Sequence, residues 1–427
     1  MNIFIAILAL SFLIIVHEFG HFIVAKMSGI KVLEFSLFMG PKLFGVQKGE
    51  TLYSIKLIPL GGYVKMEGEE QESDDSRAYS KKPVLVRAAV IAAGPIMNLL
   101  MAIIMITIIT SVSGYRTTEI GDILAGSPAE QAGLQIGDKI VSYGEKRVYH
   151  PMDVSLFTYG TKGKPVDIDI IRDGTKKTIL VEPDIIPKEQ YLLGFSPMSY
   201  YGTDSNIVAN VDENSETYKA GLRKGDKIIE LNNTKVSSNK EIGSFMSVNK
   251  DKPVQVKVLR NENEVVITIK PRINGQEQYI VGVGFTGGKS GIIESVKQSA
   301  IYSYSLSRNI FYSLVWLVTG NIGMDQMSGP VGIVTTIGDI VEASPTFADR
   351  ILGLLNITGF ISLNLGLFNL IPFPALDGSK LVLLAVEGIR RKAIPPEREA
   401  IISLVGLALL IMLMIYATYN DILRLFG

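Results

Sequence analysis

Two of the chain's three histidines stand four residues apart with a glutamate between them, in His17-Glu18-Phe19-Gly20-His21. On a helix, positions i and i+4 share a face. Both imidazoles then reach one ion, and Glu18 stands where the general base for a metal-activated water would stand. A catalytic zinc takes three protein ligands and keeps one position open, so a ligand is missing. The chain has no cysteine, and the third histidine, His150, lies far along the sequence and reads as a surface residue. The third ligand is therefore expected to be a carboxylate at the same depth as the histidines. Asp377 fits best, at the end of Asn369-Leu370-Ile371-Pro372-Phe373-Pro374-Ala375-Leu376-Asp377-Gly378. Two prolines break a helix there, and irregular backbone inside a bilayer is tolerated only where protein buries it or a wet cavity lines it. The chemistry implied is metal-assisted hydrolysis.

The elements that must position these residues are apolar. A membrane-crossing helix needs roughly 20 apolar residues, and four stretches qualify: 1–31, which carries the histidines, 84–113, 350–378, which carries Asp377 next to its end, and 400–420. Ionisable groups inside such stretches are costly and mark function. A cleaved signal peptide does not fit the first stretch, because no Lys or Arg precedes the apolar run. Basic residues set the orientation. Lys65, Arg77, Lys81, Lys82 and Arg87 cluster around the segment 67–83, and Lys380, Arg390, Arg391, Lys392 and Arg398 fall in or beside 379–399. Both segments are expected in the cytoplasm, with both termini and the long stretch between the second and third spans outside. Segment 32–66 is apolar and β-like, and 290–330 reads as an amphipathic, interfacial region. The run Glu67-Gly68-Glu69-Glu70 reads as a solvated loop.

The long outer stretch repeats itself. Ala132-Gly133-Leu134-Gln135-Ile136-Gly137-Asp138-Lys139-Ile140 returns 88 residues later as Ala220-Gly221-Leu222-Arg223-Lys224-Gly225-Asp226-Lys227-Ile228, and Arg172 maps onto Arg260 in the same register. One offset held over forty residues means two copies of one module, expected at 116–190 and 204–274. Alternating Val254, Val256 and Val258 mark strands. The pattern resembles the PDZ domain, an α+β module that binds extended peptides at a sheet edge.

The whole chain resembles the site-2 intramembrane metalloproteases, and within them the bacterial members that regulate sigma factors. The resemblance rests on the histidine motif, on 369–378, and on Ala93-Gly94-Pro95-Ile96-Met97-Asn98. It also rests on Gly40-Pro41-Lys42-Leu43-Phe44, Pro59-Leu60-Gly61-Gly62-Tyr63 and Ser328-Gly329-Pro330-Val331-Gly332. It implies one zinc ion held by His17, His21 and Asp377, with Glu18 as the catalytic base. It also implies substrate contacts at Asn369 and its neighbours Pro372 and Pro374, at Asn98, and at Gly61 and Gly62 in a β-hairpin that re-enters the membrane. The expected fold is a four-helix membrane protein with that hairpin and two extracytoplasmic PDZ-like domains. It would reside in the bacterial cytoplasmic membrane, with its active site toward the cytoplasmic side. Substrates would be single-span proteins such as anti-sigma factors or remnant signal peptides, trimmed beforehand by a site-1 protease, with the module pair as a size gate. Two positions depart from the family pattern: Ser379 where a second glycine is frequent, and Phe38 where Gly-Phe-Gly is frequent.

Composition excludes other classes. Lys+Arg and Asp+Glu balance at 42 each, so no charge excess draws the chain to nucleic acid. A membrane-anchored PDZ scaffold without chemistry would need neither the histidine pair nor Asp377. A metal transporter would spread ligands across several spans instead of gathering them near one end.

Overall fold

The computed structural model describes residues 2–69, 73–186, 190–197, 205–211, 215–260, 262–274, 278–289, 291–321, 323–324, 327, 329–343, 346–392 and 394–426; Glu70 and Ser328 lie outside them. The chain forms two compact units. One comprises Met1–Tyr115 with Lys289–Gly427, the other Arg116–Gly288.

In the first unit α1 (Asn2–Met27) is followed by β1 (Val32–Lys48), β2 (Thr51–Met66) and α2 (Val84–Ser113). After the second unit come α3 (Ile292–Val318), α4 (Pro330–Ala343), α5 (Phe347–Leu370), α6 (Asp377–Arg390) and α7 (Pro396–Phe426). Among the described residues, four helices are long and apolar enough to cross a membrane: 4–27, 84–113, 347–370 and 397–423. Outward-facing apolar residues such as Leu85, Leu100, Leu404 and Ile415 fit a helix that meets lipid.

Several expectations need revision. β1 and β2 are more than a hairpin. Residues 34–37 pair on both sides, with Leu52–Ile55 and with Gly62–Lys65, while Phe44–Lys48 pairs with Thr51–Ile55. The two long strands thus bend into a sheet four strands wide. Phe38, at the departure from the family pattern, has φ +68°, a conformation that glycine adopts freely and phenylalanine does not. Segment 379–399 begins as helix α6 and not as a loop, because Leu381 and Leu384 give it an apolar face that packs with Val90 and Ile91 of α2. The 290–330 segment holds a helix with one side packed on α2. α3 buries Ser295, Ser299 and Ser303 along one ridge, and Ser299 Oγ donates to Thr110 Oγ1 of α2 at 3.2 Å. Small residues at such spacing let helices approach closely.

In the second unit the repeat is visible, with an exchange that serial boundaries miss. The first module's sheet runs Val283–Gly288, Tyr115–Ile123, Lys139–Tyr143, Val166–Arg172, Thr175–Val181. Its outer strand therefore comes from beyond the second module. Conversely, Leu193 lies in the second module's core beside Val208, Ile228 and Val256, with Tyr191 and Phe195 packed on it. The crossing chains run side by side, Asp184–Ile186 against Gln278–Ile280 and Gln190–Leu192 against Arg272–Asn274. The 88-residue offset maps Gly194 onto Gly282, and both have φ in the left-handed region, 72° and 86°. Each module is completed by the strand that follows the other one. The ranges 116–190 and 204–274 omit these strands.

Candidate metal centre

α1 brings His17 and His21 to one face, and α2 supplies the surface they lie on. Gly20 and Gly94 make that approach possible. A Cβ on Gly20 would collide with the Ala93 carbonyl, and one on Gly94 would occupy the space of both imidazoles. Each histidine is 9% exposed. His21 Nδ1–H donates to the Val90 carbonyl at 2.8 Å, which leaves the Nε2 lone pair free for a ligand role. The Asn98 side-chain amide lies 3.4 Å from His17 Nδ1. Its Oδ1 is buried without a partner when the NH2 faces the ring. Exchanging the amide's O and N, which are chemically interchangeable in outline, turns Oδ1 toward His17 Nδ1–H and frees Nε2 there too. Asn98 was expected at the substrate. The structure places its amide beside a histidine, and its backbone carbonyl accepts from Ser362 Oγ of α5 at 2.8 Å.

Asp377 arrives from the opposite side. After α5 the chain leaves the helix at Ile371, passes Pro372 and Pro374, and restarts as α6 with Asp377 in the first turn. Gly378 permits the restart, since a Cβ there would overlap the carbonyls of Leu370 and Ile371. The buried Ser379, the second departure from the family pattern, is accommodated by donating Oγ–H to the Leu376 carbonyl at 2.8 Å.

Three atoms converge. His17 Nε2 and His21 Nε2 are 3.1 Å apart, and Asp377 Oδ2 lies 3.0 Å from the first and 3.5 Å from the second. Four-coordinate zinc with bonds of about 2.0–2.1 Å separates its ligands by about 3.3 Å, which matches this triangle. Two imidazole lone pairs facing each other and a carboxylate oxygen need a cation or a proton between them. Asp377 Oδ2 has no hydrogen-bond donor otherwise. Among the described residues this is the one cluster of three such side chains able to hold a metal ion.

Glu18 Oε2 accepts the Val64 backbone N–H at 3.2 Å. Val64 belongs to the sheet's outer strand, so the carboxylate sits at a sheet edge. Gly61 and Gly62 lie buried on this strand against α1, with Ile14 and Ile15 beside them. Asn369 is half-buried near the end of α5, Pro372 is exposed, and Pro374 packs beside Gly406 of α7. Sequence reasoning missed the roles of Gly94, of the Val90 carbonyl and of the Val64 N–H. The motif at 93–98 flagged Gly94 without its purpose. The other two are backbone groups, which no side-chain pattern reports.

The Peptidase family M50 model matches residues 5–413. The chain is 31% identical to the zinc metalloprotease RasP of Shouchella clausii, over 100% of both chains. It is 29% identical to the regulator of sigma-W protease RasP of Bacillus subtilis, over 97% of this chain and 96% of that one. It is 28% identical to RasP of Geobacillus kaustophilus, over 97% and 96%. With a helix-borne histidine pair, a carboxylate completing the triangle and a family match along nearly its whole length, the chain belongs to peptidase family M50, the site-2 type of zinc metalloprotease.

Proposed function

We propose that the chain is an intramembrane endopeptidase that cuts single-span membrane proteins, with His17, His21 and Asp377 holding zinc and Glu18 as general base. The observation that carries this reading is the three-atom triangle set among helices apolar enough to cross a bilayer, with Glu18 beside it. Zinc, when bound, supplies a Lewis acid for the scissile carbonyl and for the hydrolytic water. Val90 and Asn98 hold the two imidazoles in the tautomer that ligation requires. Glu18 takes a proton from the attacking water and delivers it to the departing amine nitrogen.

A helical substrate hides its peptide bonds and must unwind. An unwound strand can add to a sheet edge through main-chain hydrogen bonds. The outer strand at 62–65 pairs on one side only among the described residues, and Glu18 contacts its Val64, which supports this mode of docking. Gly61 and Gly62 let that strand lie close against α1, where a Cβ would meet Ile14, Ile15 and the Ser36 carbonyl. Asn369, Pro372 and Pro374 shape the turn that carries Asp377.

The finer reading follows from the family resemblance. Substrates are anti-sigma factors or remnant signal peptides, shortened first by a site-1 protease. The unit 116–288, read as two PDZ-like modules, excludes untrimmed substrates. The protein resides in the bacterial cytoplasmic membrane, with both termini and the modules outside and the metal nearer the cytoplasm, as the basic segments indicate.

Cleavage of a single-span substrate with the cut site mapped tests the core. Glu18→Gln is expected to keep zinc and lose at least about a thousandfold in kcat, the upper part of the range for a general base that also positions the nucleophile. Retained cleavage removes Glu18 from this role.

A further inference from the structure

We infer that Arg87 and Glu387 are positioning residues for the third metal ligand. The inference rests on the reading of Asp377 as that ligand. α2 already fixes the first two ligands, through the Val90 carbonyl, the space at Gly94 and the amide of Asn98. One turn before Val90, the same helix bears Arg87. Its Nη1 donates to Glu387 Oε2 of α6 at 3.2 Å, its Nη2 makes a closer contact with Oε1, and its Nε donates to the Lys82 carbonyl at 3.2 Å. The side chains are 13% and 14% exposed.

Asp377 is reached from α5 through an irregular turn, although Gly378 packs on the end of α5 and Pro374 on Gly406. Residues 371–376 form no ladder, so the aspartate goes where the body of α6 goes. Asp377, Leu381, Leu384 and Gly388 follow i, i+4, i+7, i+11 spacing and share one face, and Leu381 and Leu384 pack with α2. Apolar contact decides which face meets α2 but is non-directional. It specifies poorly how far α6 slides along its neighbour, and one turn of slip is about 5.4 Å. Metal ligands tolerate about 0.2 Å. A bidentate guanidinium–carboxylate pair is directional at both ends. It sets the slide and, ten residues or about 15 Å away, the place of the Asp377 carboxylate. A single helix, α2, thereby registers all three ligands.

The test uses the full-length protein in detergent. Zinc affinity is measured by chelator competition, thermal unfolding is followed on zinc-free protein, and kcat and KM are measured at limiting and saturating zinc. Arg87→Gln and Glu387→Gln are each expected to weaken zinc binding about tenfold, the lower bound for groups supporting a metal ligand. At limiting zinc kcat falls while KM holds, and excess zinc restores kcat. The exchanged pair Arg87→Glu with Glu387→Arg recovers most of the affinity. Arg87→Lys keeps the charge, loses the fork and falls between; it serves as the reading if the neutral variants do not fold. Unchanged zinc affinity in the variants, whatever their melting temperature, overturns the proposal. Asp377→Asn is the control. If it binds zinc like the parent, the ligand reading itself fails. If it loses zinc while Arg87→Gln and Arg87→Lys do not, only the positioning role falls.

Discussion

Asp138 and Asp226 of the outer unit and Asp377 of the other are finished differently. In the outer unit Asp138 and Asp226 are each 1% exposed. Each takes a bidentate guanidinium, from Arg172 and Arg260, with both contacts at 2.7 Å. Each also accepts a backbone N–H at 2.8 Å, from Gln135 and Arg223. Every lone pair that matters has a donor. In the membrane unit Asp377 faces two imidazole nitrogens and has no donor for Oδ2. Asp377, with its side chain 17% exposed, is less buried than the other two, so depth of burial does not mark the chemistry. The mark is a carboxylate whose surroundings were left incomplete.

Removing each kind of carboxylate separates the two roles. Asp377→Asn is expected to cost the most function, a loss of cleavage beyond about a thousandfold together with zinc, the scale for removing a member of a catalytic unit. Amide hydrogen exchange across 116–288 stays unchanged. A variant that kept zinc would erase the contrast. Asp226→Ala should do the reverse. It strands the Arg260 guanidinium, which is about a third exposed, and lowers the outer unit's stability by about 2–3 kcal/mol, while zinc content holds. Because strands are exchanged, hydrogen exchange should accelerate in both modules. Loosening confined to 205–274 would show that the modules are independent.

The smallest effect is a pH slope. His150, expected at the surface, is half-buried. It caps the helix Pro151–Thr161, with Nδ1 accepting the Met152 N–H at 3.3 Å. Burial pushes its pKa down to about 4, against an attraction from Asp153. The unfolded chain, with its histidine near 6.5, binds the proton first. The unit's stability therefore falls as pH drops from about 6.5 to 4, by at most about 3 kcal/mol. Below that window Asp138 takes over. Burial raises its pKa, but Arg172 and the Gln135 N–H outweigh burial and hold it under the usual carboxylate range. Its contribution is present at neutral pH and lost as the carboxylate protonates. His150→Asn, which still caps, should flatten the upper window in pH-dependent unfolding. An unchanged slope there would reject the assignment.

The sequence reported best what side chains repeat or conspicuously supply. His17, Glu18 and His21 announce themselves by spacing. Asp377 follows from the lack of cysteine and from two prolines, and these are the residues the structure draws together. The spans are legible because a bilayer demands length and apolarity. Asn98 was flagged by its motif, but its place beside His17 was not legible, since identity does not say which way an amide points. The β1–β2 sheet was seen as a hairpin because bends at Phe38 and Gly61 follow from backbone angles, which periodicity does not encode. The strand exchange was hidden for a different reason. The two copies share one register, so a strand that suits one module suits the other, and the offset of 88 is the same either way.

That exchange also sets an order of events. Val283–Gly288 pairs with Tyr115–Ile123, about 165 residues earlier. At roughly 5–20 residues per second of synthesis, the first module must wait about 5–20 s after the last of its own sheet strands, Thr175–Val181, has emerged before its sheet can close. Until then the edge at Tyr115–Ile123 is bare and open to wrong partners. The second module, already holding Gln190–Pro197, can finish in the meantime, so the half of the pair made first is the half completed last.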